Sequence, residues 1–452
     1  MTHDRGAGWP GALAAVGLLL AADFWRPLWG DEVLQFIFGA YDSVGDAWRV
    51  IQASTGGVNH GQTGAYIMVD WWLLRTFGAG KFWLRLPSYL AGVLLFLSAL
   101  RLYARWGLPV RWQAWGILVL YATTPLMDQL ANARPYLPLA AATLATLAYY
   151  TEPVAMRRRP GVRWLGWTGM LTGALIHPYF PLYALGVCVY TLLVNDRPGP
   201  HRWSTRAAVA HADLPLAGTG AIAYLALGSA TWMRHGGRFP YDPFANIGAG
   251  AAAVGSLVHA HGAAFGGLAP VMAACVPLMA LATWGVWKRR GDRESRRRAR
   301  AAAGLMALGL GLSVLVSWLS WRVSYVIFDR QWVASMAMVA VAMPWFAAGI
   351  AGCASRRLAA AWTVALFAVV GARAAGDAGR QVGKDLAGWR AAQLPLAARF
   401  SADEVSRGVW VTMANWNCAA GGPVWPAFRK YYMVTGDDRP GRPNGVGYNR
   451  PP

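Results

Sequence analysis

Apolar runs alternate with short polar loops along this chain, and the runs set the architecture. Several approach the roughly 20 residues that a helix needs to cross a hydrocarbon core. Eleven spans are predicted, over residues 10–28, 83–100, 112–127, 136–150, 164–177, 178–194, 214–232, 268–287, 301–320, 332–350 and 359–375. The pattern is that of an all-α polytopic membrane protein. Between the first two spans, residues 33–50 and 63–77 mix aromatics with single charges (Asp42, Asp46, Arg49, Asp70, Arg75) and read as helices lying on a membrane surface. Gly56-Gly57 breaks one from the other. His177-Pro178 and Pro181 interrupt the fifth and sixth spans, which are barely long enough for two crossings. Such a break marks either a polar cavity, where freed backbone groups find partners, or a boundary drawn a few residues off.

Composition agrees, since 56% of the 452 residues are apolar and only 14% charged. The net charge of +21 looks like a nucleic-acid signature until its distribution is followed. Arg101, Arg105 and Arg111, then Arg157 to Arg163, then Arg197, Arg202 and Arg206, then Lys288 to Arg300, then Arg356 and Arg357 all fall in alternate loops. Short basic loops mark the cytoplasmic side, so one register with the N-terminus inside accounts for them all. The surplus is topology, and no nucleic-acid partner is expected. The first run, Ala12 to Ala22 behind Arg5, is read as a retained signal anchor. Cys188, Cys275, Cys353 and Cys418 are scattered and form no disulfide framework.

This register puts loops 29–82, 127–136 and 233–267 outside, together with a polar, Pro/Gly-rich tail over 376–452. Residues 1–375 then form the membrane module. The first span ends in Trp25-Arg26-Pro27-Leu28-Trp29-Gly30-Asp31-Glu32. Tryptophans favour the headgroup level, so Asp31 and Glu32 are expected at the membrane surface, within reach of a group still dissolved in lipid. Few charges fall inside the spans, whereas transporters place ionisable groups there.

The acidic pair, the first outer loop and Arg85-Leu86-Pro87-Ser88 at the start of the second span together resemble the GT-C glycosyltransferases. Most similar is the bacterial branch related to aminoarabinose transferases and protein O-mannosyltransferases. Ala133-Arg134-Pro135-Tyr136 is similar to that family's Glu-Ala-Arg-Pro-Tyr turn, and His177-Pro178-Tyr179-Phe180 to its Thr-His-Tyr-Phe hairpin. The resemblance spans roughly residues 10–350 and rests on the order of short motifs. Two departures stand out: His60-Gly61-Gln62-Thr63 replaces the family's His-Pro-Pro-Leu, and Asn132 replaces an acid.

The resemblance implies a bacterial inner-membrane enzyme that moves a sugar from a polyprenyl-phosphate-linked donor to a glycolipid, polysaccharide or protein acceptor on the outer face, with inversion. Asp31 matches the base that takes the proton of the attacking hydroxyl. Glu32 and Asp128 are the further candidate acids, Asp128 toward the acceptor. Arg85 and Arg134 have the guanidinium fork that suits a departing phosphate, and Lys81 and Arg330 are secondary candidates. His60, His177 and Tyr136 complete the substrate-binding set. With Asp31 or Glu32 the two histidines offer donor types suited to a divalent cation, though no ligand spacing demands one. A flippase for a lipid-linked sugar and a non-catalytic family member are the alternative readings.

Overall fold

The computed structural model describes residues 43–45, 64–77, 81–122, 132–194, 205–228, 293–322 and 332–353, with isolated positions elsewhere. All regular structure among them is helical. Isolated positions apart, the expected spans 10–28, 268–287 and 359–375, the surface helix 33–50, the loop 233–267 and the tail lie outside the described residues.

Numbered over the described chain, the helices are α1 (Gly64–Phe77), α2 (Lys81–Arg105), α3 (Val110–Ala122), α4 (Tyr136–Thr151), α5 (Pro160–Ile176), α6 (Phe180–Val194), α7 (Thr205–Ala212), α8 (Leu214–Ala223), α9 (Arg293–Arg322) and α10 (Val333–Cys353). A 3₁₀ turn, Val154–Arg158, links α4 to α5, and α8 runs on into a π-helical turn, Tyr224–Gly228. Helices thus stand where the apolar pattern places most spans. Two of them, Phe82–Arg105 and Arg300–Leu319, are long and apolar enough to cross a membrane by length and composition; Phe180–Val194, Leu214–Leu227 and Val333–Ala348 are shorter apolar helices.

The bundle is built around α4. Its sequence, YLPLAAATLATLAYYT, is rich in alanine, and every residue of it is buried. Small side chains let neighbours approach on all sides, and α2, α5, α6 and α10 pack against it. α5 answers with glycines on its facing side. A Cβ at Gly169 would lie 2.9 Å from both the Ala142 backbone oxygen and the Thr146 nitrogen. The two backbones are therefore in near contact, the geometry that spaced small residues allow between membrane helices.

A second layer forms where α10 packs on α3 and α9, with α9 also against α6. Polar tips tie the layers together. Tyr183 and Ser335 share a hydrogen bond at 3.0 Å, Tyr190 donates to the Ala301 oxygen at 2.5 Å, and Trp332 Nε1–H donates to Ser317 Oγ at 3.0 Å. Outward, Leu90, Val93 and Leu97 of α2, Leu185, Val189 and Leu193 of α6, and Leu310, Val314 and Trp318 of α9 stay exposed. Spaced three or four apart, they make apolar stripes that suit a hydrocarbon surround.

One end of the bundle is closed by a polar network that the basic-loop reading did not anticipate. Arg158 and Arg159 are exposed as a solvated loop requires, but Arg157 is buried. Its guanidinium donates to the backbone oxygens of Glu152 (3.1 Å), His211 (2.6 Å) and Tyr150 (3.0 Å) and lies over the Tyr149 and Tyr150 rings. Tyr149 in turn donates to the Asp213 carboxylate, and Arg101 pairs with Glu152 at 2.7 Å. The chain spends its first loop arginine on stitching α4 to α7 rather than on solvent.

Candidate functional site

At the opposite end, segments far apart in sequence meet. Arg85 and Ser88 sit one turn apart on the same face of α2 and both are wholly buried. Ser88 Oγ–H donates to the backbone oxygen of Asn132, which fixes the 132–135 turn against α2. The turn is tight: the Arg134 N–H returns to the same Asn132 oxygen at 2.8 Å, and Pro135 leads into α4. Pro suits that position because a helix leaves its first N–H groups without intrahelical partners.

Arg134 is 4% exposed, its guanidinium 5.8 Å from the Tyr136 ring centroid. That ring lies 5.8 Å from the His177 ring on its other neighbour, α5. His177 ends α5, its N–H donating to the Gly173 oxygen at 3.2 Å, and α6 restarts at Phe180. Of the two readings of the His177-Pro178 break, the structure gives a true turn with a buried polar residue in it. The π-helical turn after α8 closes on this point, Tyr224 OH donating to the Pro178 oxygen at 3.1 Å.

The tautomer of His177 follows from its contacts. Nδ1 accepts the Tyr179 N–H at 3.2 Å, so the neutral ring carries its proton on Nε2. Nε2 is buried and has no hydrogen-bond partner among the described residues. Burial, with the nearby positive charge of Arg134, depresses the pKa of His177 to about 3, and the ring stays neutral. Gln129 Oε1 is likewise buried without a hydrogen-bond partner among the described residues.

The helix expected over 63–77 is present, but one of its charges, Asp70, turns inward. It is 0% exposed. α1 does not lie free on a surface; it packs on α2, on α5 and on the π-helical turn. Tyr66, Ile67, Leu73 and Leu74 form its buried stripe, and Asp70 occupies the same stripe, while Val69, Trp72 and Phe77 face outward. Burial raises the Asp70 carboxyl well above the usual carboxylate range, and the Arg134 charge opposes that rise. The charge of Arg134 thus acts on both Asp70 and His177. The helical spacing of residues 66, 67, 70, 73 and 74 was the available signal.

Of the residues singled out from the sequence, Arg85, Arg134, Tyr136 and His177 belong to this end of the bundle. Lys81 begins α2, but its side chain is outside the described set, and Asp31, Glu32, His60, Asp128 and Arg330 lie outside the described residues. Among the described residues no three His, Cys, Asp or Glu side chains stand together as metal ligands would, and His177 presents a proton at Nε2 rather than a lone pair. The chemistry at hand suits an anion: a guanidinium fork at Arg134, a second buried guanidinium on the α2 face that holds the turn, and a neutral N–H donor beside them.

No family model and no curated relative matches the sequence. Two solved structures are similar to the chain. One is ArnT from Cupriavidus metallidurans in the apo state, 18% identical with a TM-score of 0.49, covering 95% of this chain and 71% of that one. The other is the same protein bound to undecaprenyl phosphate, 17% identical with a TM-score of 0.48 and the same coverage.

Proposed function

We propose that the protein is a membrane glycosyltransferase that moves a sugar from a polyprenyl-phosphate-linked donor to an acceptor on the outer face of the cell membrane. One observation supports this above the others. The three short motifs behind the family resemblance, at 85–88, 133–136 and 177–180, are separated by forty or more residues each, yet meet at one end of the bundle. In this reading Arg134 and Arg85 take up the charge that grows on the departing phosphate. Asp31 accepts the proton of the attacking hydroxyl, and the sugar inverts as it passes to that oxygen.

The experiment is transfer by the full chain in lipid nanodiscs, with radiolabelled polyprenyl-phosphate sugars as donors and an extracted envelope fraction as acceptor. Transfer is expected from wild type, with a loss of about 100-fold or more in Asp31→Asn, the range for a missing general base. Equal rates for the two proteins overturn Asp31 as the base. Movement of intact donor between leaflets with no sugar transferred overturns the enzyme reading in favour of a flippase.

A further inference from the structure

A buried hydrogen-bond donor almost always has an acceptor, because one left without it has given up water for nothing. His177 breaks that rule: it is 1% exposed, and its Nε2 has no hydrogen-bond partner among the described residues. The other ring nitrogen is committed. Nδ1 accepts the Tyr179 N–H at 3.2 Å, the same closure two residues on that an asparagine makes in an Asx turn. That bond orients the ring and leaves the proton on Nε2, which points away from the hairpin backbone. The Tyr136 and Tyr179 rings, with centroids 5.8 and 5.5 Å from the imidazole, hold it from the sides. Tyr136 is shared, for the Arg134 guanidinium stands 5.8 Å from the same ring. Tyr224 pins the hairpin from outside through the Pro178 oxygen at 3.1 Å. The N–H is therefore set in place beside a cation before any ligand arrives.

Resting on the proposed function above, we propose that the Nε2–H of His177 is a binding group for the lipid donor: it donates a hydrogen bond to an oxygen of the polyprenyl-linked phosphate beside Arg134. The two residues divide the work. The guanidinium supplies charge, whereas the imidazole, kept neutral by burial, supplies direction and gives up no proton. The donor that stands unpaired in the empty site is satisfied only when an acceptor oxygen enters, so part of the affinity comes from relieving it.

Two amides separate this role from a structural one. Asparagine keeps an acceptor for the Tyr179 N–H but has no nitrogen at the Nε2 position. Glutamine reaches that position with an N–H but leaves the Tyr179 N–H unanswered. The full chain is studied in nanodiscs with polyprenyl phosphate carrying no sugar as the probe. His177→Asn is expected to weaken binding about 10-fold or more, and His177→Gln by less than about 3-fold. Thermal unfolding without ligand is expected to rank the two the other way, with His177→Asn the more stable. The same ranking in both measurements makes His177 a structural residue and overturns the proposal. Should one variant not fold, the other assigns the imidazole N–H signal of His177 in proton NMR spectra by its absence. In wild type that signal is expected to move with polyprenyl phosphate and to stay in place with polyprenol, which has the chain without the phosphate. A signal that ignores both ligands, or answers both alike, overturns the proposal. Wild-type binding by His177→Asn alongside lost binding by Arg134→Gln overturns it while leaving the functional reading intact. Failure of the wild type to bind polyprenyl phosphate removes the functional reading, and the proposal goes with it.

Discussion

Ser88 holds the backbone oxygen of Asn132 from 44 residues away, so the shape of the turn before α4 is decided by a hydroxyl on α2. Ser88→Ala removes that donor from a carbonyl held between α2 and its own turn. The expected cost is about 1–3 kcal/mol of stability. Because the freed turn carries Arg134, the donor KM is expected to rise in protein that remains folded. Thermal unfolding in detergent and donor titration of the purified variant check the two effects separately.

Gly173 and Phe180 make a second tight fit, one turn below His177. A Cβ at residue 173 would come within 2.1 Å of the Phe180 ring, which is itself fully buried. Gly173→Ala must push the ring, and with it the start of α6. Overpacking of this kind costs about 1–3 kcal/mol. The paired change Gly173→Ala with Phe180→Leu is expected to recover part of the loss; a melting temperature unchanged by Gly173→Ala alone would contradict the packing described.

His177 makes acid stability testable. Its ring stays neutral in the folded protein down to about pH 3, whereas the unfolded chain takes up that proton near 6.5. Between those values the unfolded state binds more protons, so this contribution to stability is complete above about pH 6.5 and fades as pH falls towards 3. The Asp70 carboxyl, raised by burial, works in the opposite direction. In His177→Gln the acid-side loss should be shallower than in wild type, read as melting temperature against pH. Parallel profiles for the two proteins would show that His177 does not carry the effect.

At the other end of the bundle, Arg157 reaches three backbone oxygens at 3.1, 2.6 and 3.0 Å and stacks over two tyrosines. A lysine has neither the fork nor the flat face for this. Arg157→Ala is expected to cost on the order of 3–5 kcal/mol, the range for breaking a buried charged network. Arg157→Lys should recover only a minor part, as measured by unfolding in detergent. His177 and Arg134 are remote from this network, so polyprenyl phosphate affinity of the protein that still folds is expected to stay at the wild-type value.

Among the described residues the apolar pattern locates the longer helices, because burial in a bundle follows hydrophobic spacing directly; it misses α7, which falls in a loop read as basic. Arg85, Arg134 and Tyr136 enter through the family resemblance instead, as substrate-binding candidates carried by the order of short motifs. Asp70 was harder. A single acid amid Trp71, Trp72 and Tyr66 has the composition of a surface helix, and the charge that answers it lies in another turn, 64 residues along. Arg157 failed in the same way: within Arg157-Arg158-Arg159 nothing local separates the arginine that turns inward from the two that do not. Long-range charge pairing leaves no periodic trace, while helical burial does.

Because α4 meets protein on every side, it has no face to offer the lipid. It cannot settle as soon as it is synthesised; its last wall, α10, is made near the end of the described chain. The turn that carries Arg134 is rooted in that helix and tied to α2 by Ser88, so it is fixed to the most enclosed element of the bundle.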